Sequence, residues 1–258
     1  MADFIVDTTA DTVDAHDGVL SLREALAQAD RSDGADTIRF SDQVQGGTIV
    51  LAGSQLTVAS EVTVDGGSGV TIDADQRSRV LLVEEPEGDN HAWVTLSHLT
   101  ITGGRTRGGG GGIYSQADYD SLRLEHVNVT GNRAKGVGGG IGGFYDTDLS
   151  DCIVAGNRAA GSGGGIAGYY VSVANSTISD NQARGDSASG GGIAAGEHVW
   201  LSNSTVSGNS AIGGDASGGG IFSLHLFALD STVSGNQARG AGASGGGLDQ
   251  YFGYARLY

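Results

Sequence analysis

The chain has 258 residues and a net charge of −16. It holds 47 glycines against a single proline and a single cysteine. Glycine this dense with almost no proline is neither collagen nor a proline-rich linker. So acidic a chain repels phosphate backbones, which argues against a nucleic-acid partner. One cysteine, Cys152, leaves no internal disulfide, and no apolar run is long enough for a membrane span.

The N-terminal segment Met1-Ala2-Asp3-Phe4-Ile5-Val6 lacks the basic and long apolar regions of a Sec signal. Three expectations stay open: the signal was removed, export follows another route such as type I secretion, or the protein stays inside the cell. Next, Ser21-Leu22-Arg23-Glu24 reads as a capping box leading into Ala25-Leu26-Ala27-Gln28-Ala29. A short helix here would plug the open end of a solenoid. Strands are expected around Thr37–Phe40, Thr48–Leu51, Leu56–Val58, Val62–Val64, Val70–Ile72 and Val80–Val83, followed by a polar loop over 84–90. Residues 1–40 are thus read as a cap and 41–92 as irregular first coils. Residues 93–258 are read as regular coils, all within one domain. Acidic charge concentrates early: residues 1–90 hold 18 Asp and Glu against 5 Lys and Arg.

From Trp93 onward one pattern recurs. Its first word is an apolar residue, two small residues and Asn: Val129-Thr130-Gly131-Asn132, Val154-Ala155-Gly156-Asn157, Ile178-Ser179-Asp180-Asn181, Val206-Ser207-Gly208-Asn209 and Val233-Ser234-Gly235-Asn236. Ile101-Thr102-Gly103-Gly104 is a first copy with Gly in place of Asn, and successive Asn lie 25, 24, 28 and 27 residues apart. The second word is Gly-Gly-Gly before Ile113, Ile141, Ile166, Ile193, Ile221 or Leu248, and the last three coils carry a three-residue insertion before it. A third strand shows apolar pairs at spacing two, such as Leu122/Leu124 and Val199/Leu201. Helical spacing is absent from this region. The prediction is an all-β, right-handed, single-stranded parallel β-helix with three strands per coil and a short N-terminal capping helix.

Asn132, Asn157, Asn181, Asn209 and Asn236 are expected to stack coil on coil as a buried turn ladder, since Asn tolerates left-handed turns and its amide can bond its own copy. Cys152 aligns with Ser176, Ser204 and Ser231 and reads as a small packing residue. His98 and His126 share a coil position that later coils fill with Asp151, Asn175, Asn203 and Asp230, so it reads as a polar turn; the alternative is that the two stacked His share a metal. At the far end, Tyr254–Tyr258 matches the third strand without the Asn word that should follow. This suggests that the repeat continues beyond residue 258, or that the last coil makes an end-to-end contact with another subunit.

Half of the 14 Lys and Arg fall one or three places after the Asn position: Arg105, Arg107, Arg133, Lys135, Arg158, Arg184 and Arg239. A stacked cationic stripe suits carboxylated or sulfated glycans; the plainer reading is a solvated flank. Aromatic residues follow the glycine words, notably Tyr145, Tyr169 and Tyr170, with Trp200 and Phe227 on the third strand. Where exposed they offer a platform for sugar rings. Asp118, Asp120, Asp146 and Asp148 occupy neighbouring loops and could bind Ca²⁺ or supply an acid/base pair. No cofactor is otherwise required.

The segment Phe4–Asp11 with Asp17–Leu26 resembles the cap that opens many bacterial secreted β-helix proteins. There the helix begins Cys-Ser-Leu-Arg-Glu-Ala, and here Leu20 stands in place of the Cys. The glycine and Asn words are similar to repeats of polymorphic outer-membrane proteins and autotransporter-like adhesins, with Val or Ile where those carry Phe. The resemblance implies a secreted or cell-surface setting. It favours a noncatalytic structural or adhesive segment that meets a polysaccharide or surface glycan. The alternative is a lyase, epimerase or hydrolase acting on an anionic polysaccharide. Against it, Asp-Pro-His-Asp, Gly-His-Gly, Gly-x-Ser-x-Gly, His-Glu-x-x-His and phosphate-loop motifs are all missing.

Overall fold

The computed structural model describes residues 1–14, 16–84, 92–117, 119–250 and 255–257. The loop expected over 84–90 falls largely outside these, as do Tyr251 and Phe252; of the strand expected over Tyr254–Tyr258, the described residues form the strand Ala255–Leu257, paired with His225–Leu229 of the preceding coil. The chain winds into about eight turns of parallel β-solenoid. Among the described residues every strand pairing is parallel, and within the regular coils strands pair with their counterparts in the neighbouring coils.

The coil is set by three left-handed corners. The first carries His98, His126, Asp151, Asn175, Asn203 and Asp230, with φ between 48° and 56°. Asn, Asp and His are the non-glycine residues that best tolerate this region. The second corner is Gly103, Gly131, Gly156, Asp180, Gly208 and Gly235. The third is the first glycine of each Gly-Gly-Gly word, from Gly110 to Gly245. At the middle glycine of the word the constraint is steric. A Cβ on Gly164 would meet the Gly191 carbonyl oxygen at 2.3 Å, so successive coils touch backbone to backbone.

Between the corners lie the three expected strand segments, plus one not foreseen. Just after the Asn, a two- or three-residue strand recurs from Arg105–Thr106 to Gln237–Arg239 and forms a separate six-stranded sheet. It is too short to show a period-two pattern, which is why the sequence did not announce it. The insertion of the last three coils lies between this strand and the glycine word. There Ser189, Ser217 and Ser244 bridge in register.

The interior is a stack of like on like. Ile101, Val129, Val154, Ile178 and Val206 form one buried column, and Ile113, Ile141, Ile166, Ile193 and Ile221 another. Thr147 occupies an inward position that is Val or Leu in neighbouring coils, and its hydroxyl is buried without a partner. The Asn column closes the second corner. The Asn157 amide donates to Asn181 Oδ1 at 3.0 Å and to the Val129 carbonyl at 2.8 Å. Its own Oδ1 accepts from the Asn132 backbone N–H and side-chain amide. The same pattern runs to Asn236, and at the first coil the N–H of Gly104 donates to Asn132 Oδ1. A parallel column behind the first corner joins Cys152 to Ser176, Ser204 and Ser231 through backbone N–H donors. Burial raises the Cys152 thiol pKa, so it is an inert packing group.

The helix Leu22–Ala29 covers the first coils. Leu22, Ala25, Leu26 and Ala29 are buried, and Leu22 and Leu26 face Leu56, Val58, Leu81 and Leu96. Each polar residue of the cap motif has a job. Ser21 and Glu24 form the capping box. Arg23 grips both Asp11 oxygens at 2.8 Å and donates to the carbonyls of Ser54 and Gln55. Leu20, at the family's Cys position, packs against the core. Below the cap, strand Asp3–Val6 already pairs with Asp36–Phe40, which pairs with Val62–Asp73.

Candidate functional site

Strand alternation decides which side chains leave the coil. On the third strand, Val199 and Leu201 point inward, so His198 and Trp200 point outward. In register with His198 lie Tyr170 on one side and His225 on the other; in register with Trp200 lie Ser172 and Phe227. Parallel pairing therefore stacks the rings of successive coils. Tyr119 adds to this array from the turn before the strand, and Tyr145 and Tyr169 from within the strands Ile141–Ser150 and Ile166–Ala174.

The result is an unbroken ribbon of aromatic and imidazole rings. Tyr119 meets Tyr145 at 5.2 Å between centroids, and Tyr145 stacks on Tyr169 at 5.1 Å. Tyr169 meets Tyr170 edge-on at 5.0 Å, and Tyr170 touches His198 at 5.4 Å. His198 lies parallel to Trp200 at 4.9 Å and 4.7 Å from His225, with Phe227 beyond. Tyr119, Tyr169, Trp200 and Phe227 are exposed. A shallow groove runs beside the ribbon, lined by Phe144, Tyr145, Ala167, Tyr169, Ala195 and Phe222. Two aromatics that follow glycine words do not contribute as exposed rings. Phe144 is core, and Tyr114 packs beneath the buried guanidinium of Arg79. Arg79 in turn donates to the Gly109 and Gly110 carbonyls.

Polar groups flank the ribbon. Asp146 sits in register with Tyr170, and Asp148 lies two residues on, facing the same side. Burial and then the charge of Asp148 raise the Asp146 carboxyl pKa. Burial also raises the Tyr145 and Tyr169 phenols, helped by Tyr170 and Asp146 at the first and Glu197 at the second. Both phenols are therefore neutral hydroxyls at physiological pH. The Tyr169 hydroxyl donates to Glu197 Oε1 at 3.2 Å.

The basic residues form a separate set. Arg105, Arg133 and Arg158 are in direct register on the six-stranded sheet, and the column continues as Gln182, Ser210 and Gln237. Arg107 and Lys135 lie two residues further on, exposed like the others. None of these five forms an ion pair among the described residues. The glycine corner separates them in each coil from the ribbon strands, so the two sets occupy different faces.

The expected four-carboxylate cluster does not form among the described residues. Asp118 lies outside them. Asp120 is fully buried, and its two oxygens accept from the Ala92 N–H and the Ser115 hydroxyl, so it ties down the loop instead of facing solvent. Asp146 aligns with Ser121 and Asp148 with Arg123, one place out of step with Asp120. Sequence reasoning also passed over His198, His225 and Tyr119. The signal was available for the histidines: each sits one residue before an inward apolar position, on the outward side of a strand. Among the described residues, no helix is long and apolar enough to cross a membrane.

The sequence matches the family described as "Right handed beta helix region" over residues 47–247. No curated protein matches significantly. Among solved structures, the crystal structure of pectate lyase Pel9A aligns with a TM-score of 0.46 and 12% identity, covering 99% of this chain and 79% of that one.

Proposed function

The chain belongs to the right-handed β-helix family, and we propose that it is a noncatalytic structural or adhesive segment that holds a glycan along its aromatic ribbon. The observation that carries this reading is the unbroken ring array from Tyr119 to Phe227. The exposed rings of Tyr119, Tyr169, Trp200 and Phe227, braced by the half-buried rings between them, offer a rigid apolar surface to sugar rings. The rings are held by the coil itself, so little conformational freedom is lost on binding. Several weak sugar contacts along one rod add by multivalency. The cap motif supports placing the protein outside the cell, and the Arg105–Arg133–Arg158 column supplies a second face for carboxylated or sulfated groups.

Two features weigh against turnover. A tyrosine acting as base needs a lowered pKa, and those of Tyr145 and Tyr169 are raised. The basic column that would neutralise an acidic sugar is on another face. One observation favours the enzymatic alternative: Asp146 holds its proton more tightly than an ordinary carboxyl while Asp148 lies beside it. A carboxyl of raised pKa beside a second carboxyl is the kind of pair that glycoside hydrolysis uses. The test is a glycan array run with a product assay on the same polysaccharides. Binding that falls in Trp200→Ala and Tyr169→Ala without product formation is expected. Product formation lost in Asp146→Asn would establish the alternative.

A further inference from the structure

At the C-terminal part of the ribbon, three side chains of ligand type converge. The ligand atoms of Glu197, His198 and His225 all lie within 4.8 Å of one another. We infer that these residues form a binding site for a divalent transition-metal ion of the zinc type, bridging two adjacent coils.

The placement follows from the fold. His198 and His225 are strand-register partners, which puts two imidazoles one strand spacing apart. Glu197 precedes His198 on the same strand. His198 Nδ1 is buried and has no hydrogen-bond partner, and Glu197 Oε2 lies 3.7 Å away, beyond hydrogen-bond reach. An unsatisfied buried nitrogen is unfavourable, and a metal ion supplies the missing partner. The other Glu197 oxygen accepts from the Tyr169 hydroxyl, which fixes the carboxylate as outer partners of metal ligands commonly do. One side of His198 is closed by the parallel Trp200 ring.

Chemistry selects the ion. Two imidazoles and one carboxylate suit zinc and its neighbours, whereas calcium and magnesium take mostly oxygen ligands. Tetrahedral bonds of about 2.0–2.1 Å place ligand atoms about 3.3 Å apart. Three protein ligands leave one position for water or a sugar hydroxyl. The residues also break the repeat: the positions in register with His198 and His225 are Trp93, Ser121, Asp146 and Tyr170 in earlier coils. The stacked pair His98 and His126 differs in kind. Both occupy left-handed corner positions, and His98 Nδ1 is already engaged by Asp65 at 3.1 Å.

The experiment uses the full chain and Zn²⁺ alone, by calorimetric titration and thermal melting. At about pH 7.5, one ion per chain and a melting temperature that rises with Zn²⁺ concentration are expected. The near-isosteric Glu197→Gln and the variant His225→Ala should each lose roughly tenfold or more in affinity. A His98→Ala/His126→Ala double variant should bind like the parent. No binding by the parent overturns the inference. So does undiminished affinity in both Glu197→Gln and His225→Ala, or loss confined to the His98/His126 variant.

Discussion

Two columns run along this solenoid at the same coil spacing and follow opposite rules. The Asn column at the second corner is the same residue five times, buried in its middle, with every amide group engaged. The outward column of the third strand changes at nearly every coil: Trp93, Ser121, Asp146, Tyr170, His198, His225. Identity along a buried column is what the fold demands, because each side chain must fit its own copy above and below. Variation along an exposed column is free of that demand. Where such a column still assembles contiguous rings, the assembly points to recognition of a ligand.

The comparison can be broken first at the Asn column. Asn181→Ala removes the acceptor of the Asn157 N–H and amide and the donor to the Val154 carbonyl, all buried. Stability should fall by about 3 kcal/mol in denaturant titration, since each orphaned buried polar group costs about 1–3 kcal/mol. Substitutions on the outward column should leave stability nearly intact and act on binding. Trp200→Ala or Tyr169→Ala should weaken glycan affinity roughly tenfold, about 1.4 kcal/mol. If both columns responded alike to denaturant, the distinction between them would fail.

Smaller effects sharpen it. Thr147 is an inward position filled by the wrong chemistry, with a buried hydroxyl lacking a partner. Thr147→Val should raise stability by about 1 kcal/mol in denaturant titration. Asp146 is an outward carboxyl whose pKa is raised in the fold. The unfolded chain ionises more readily, so this group's cost is absent in acid and appears as pH rises through the carboxyl range. Asp146→Asn should therefore be the more stable protein at neutral pH, by less than about 0.5 kcal/mol given its solvent exposure. The advantage should vanish in acid, as melts across pH would show. Arg133→Gln, within the exposed arginine column, should change stability by less than about 0.5 kcal/mol.

What the sequence made legible follows the same division. Features imposed by stacking recur and can be read: the glycine words, the Asn ladder, the corner that accepts His98, Asp151 or Asn175, and the cap helix with its capping box. Two things were hidden by physics. The fourth strand is only Arg133–Ala134 in its coil and too short for any pattern. Asp120 looked like a solvated acid, and only the path of its loop turns it inward onto Ser115 and Ala92. The ribbon was half visible. Tyr145, Tyr169, Tyr170, Trp200 and Phe227 stood out as aromatics, but joining them needed the exact register, and that register brought in His198 and His225.

The central claim is that the ring array binds glycan without transforming it. The chain has two tryptophans, Trp93 and Trp200, so intrinsic fluorescence reads the ribbon almost directly. The decisive measurement titrates neutral and acidic polysaccharides against the Trp93→Phe protein, whose remaining indole is Trp200, while products are followed in the same samples. The account predicts a saturable Trp200 signal with at least one polysaccharide, weakened by Tyr169→Ala, and no products. No Trp200 response to any polysaccharide, or product formation from one, would contradict it.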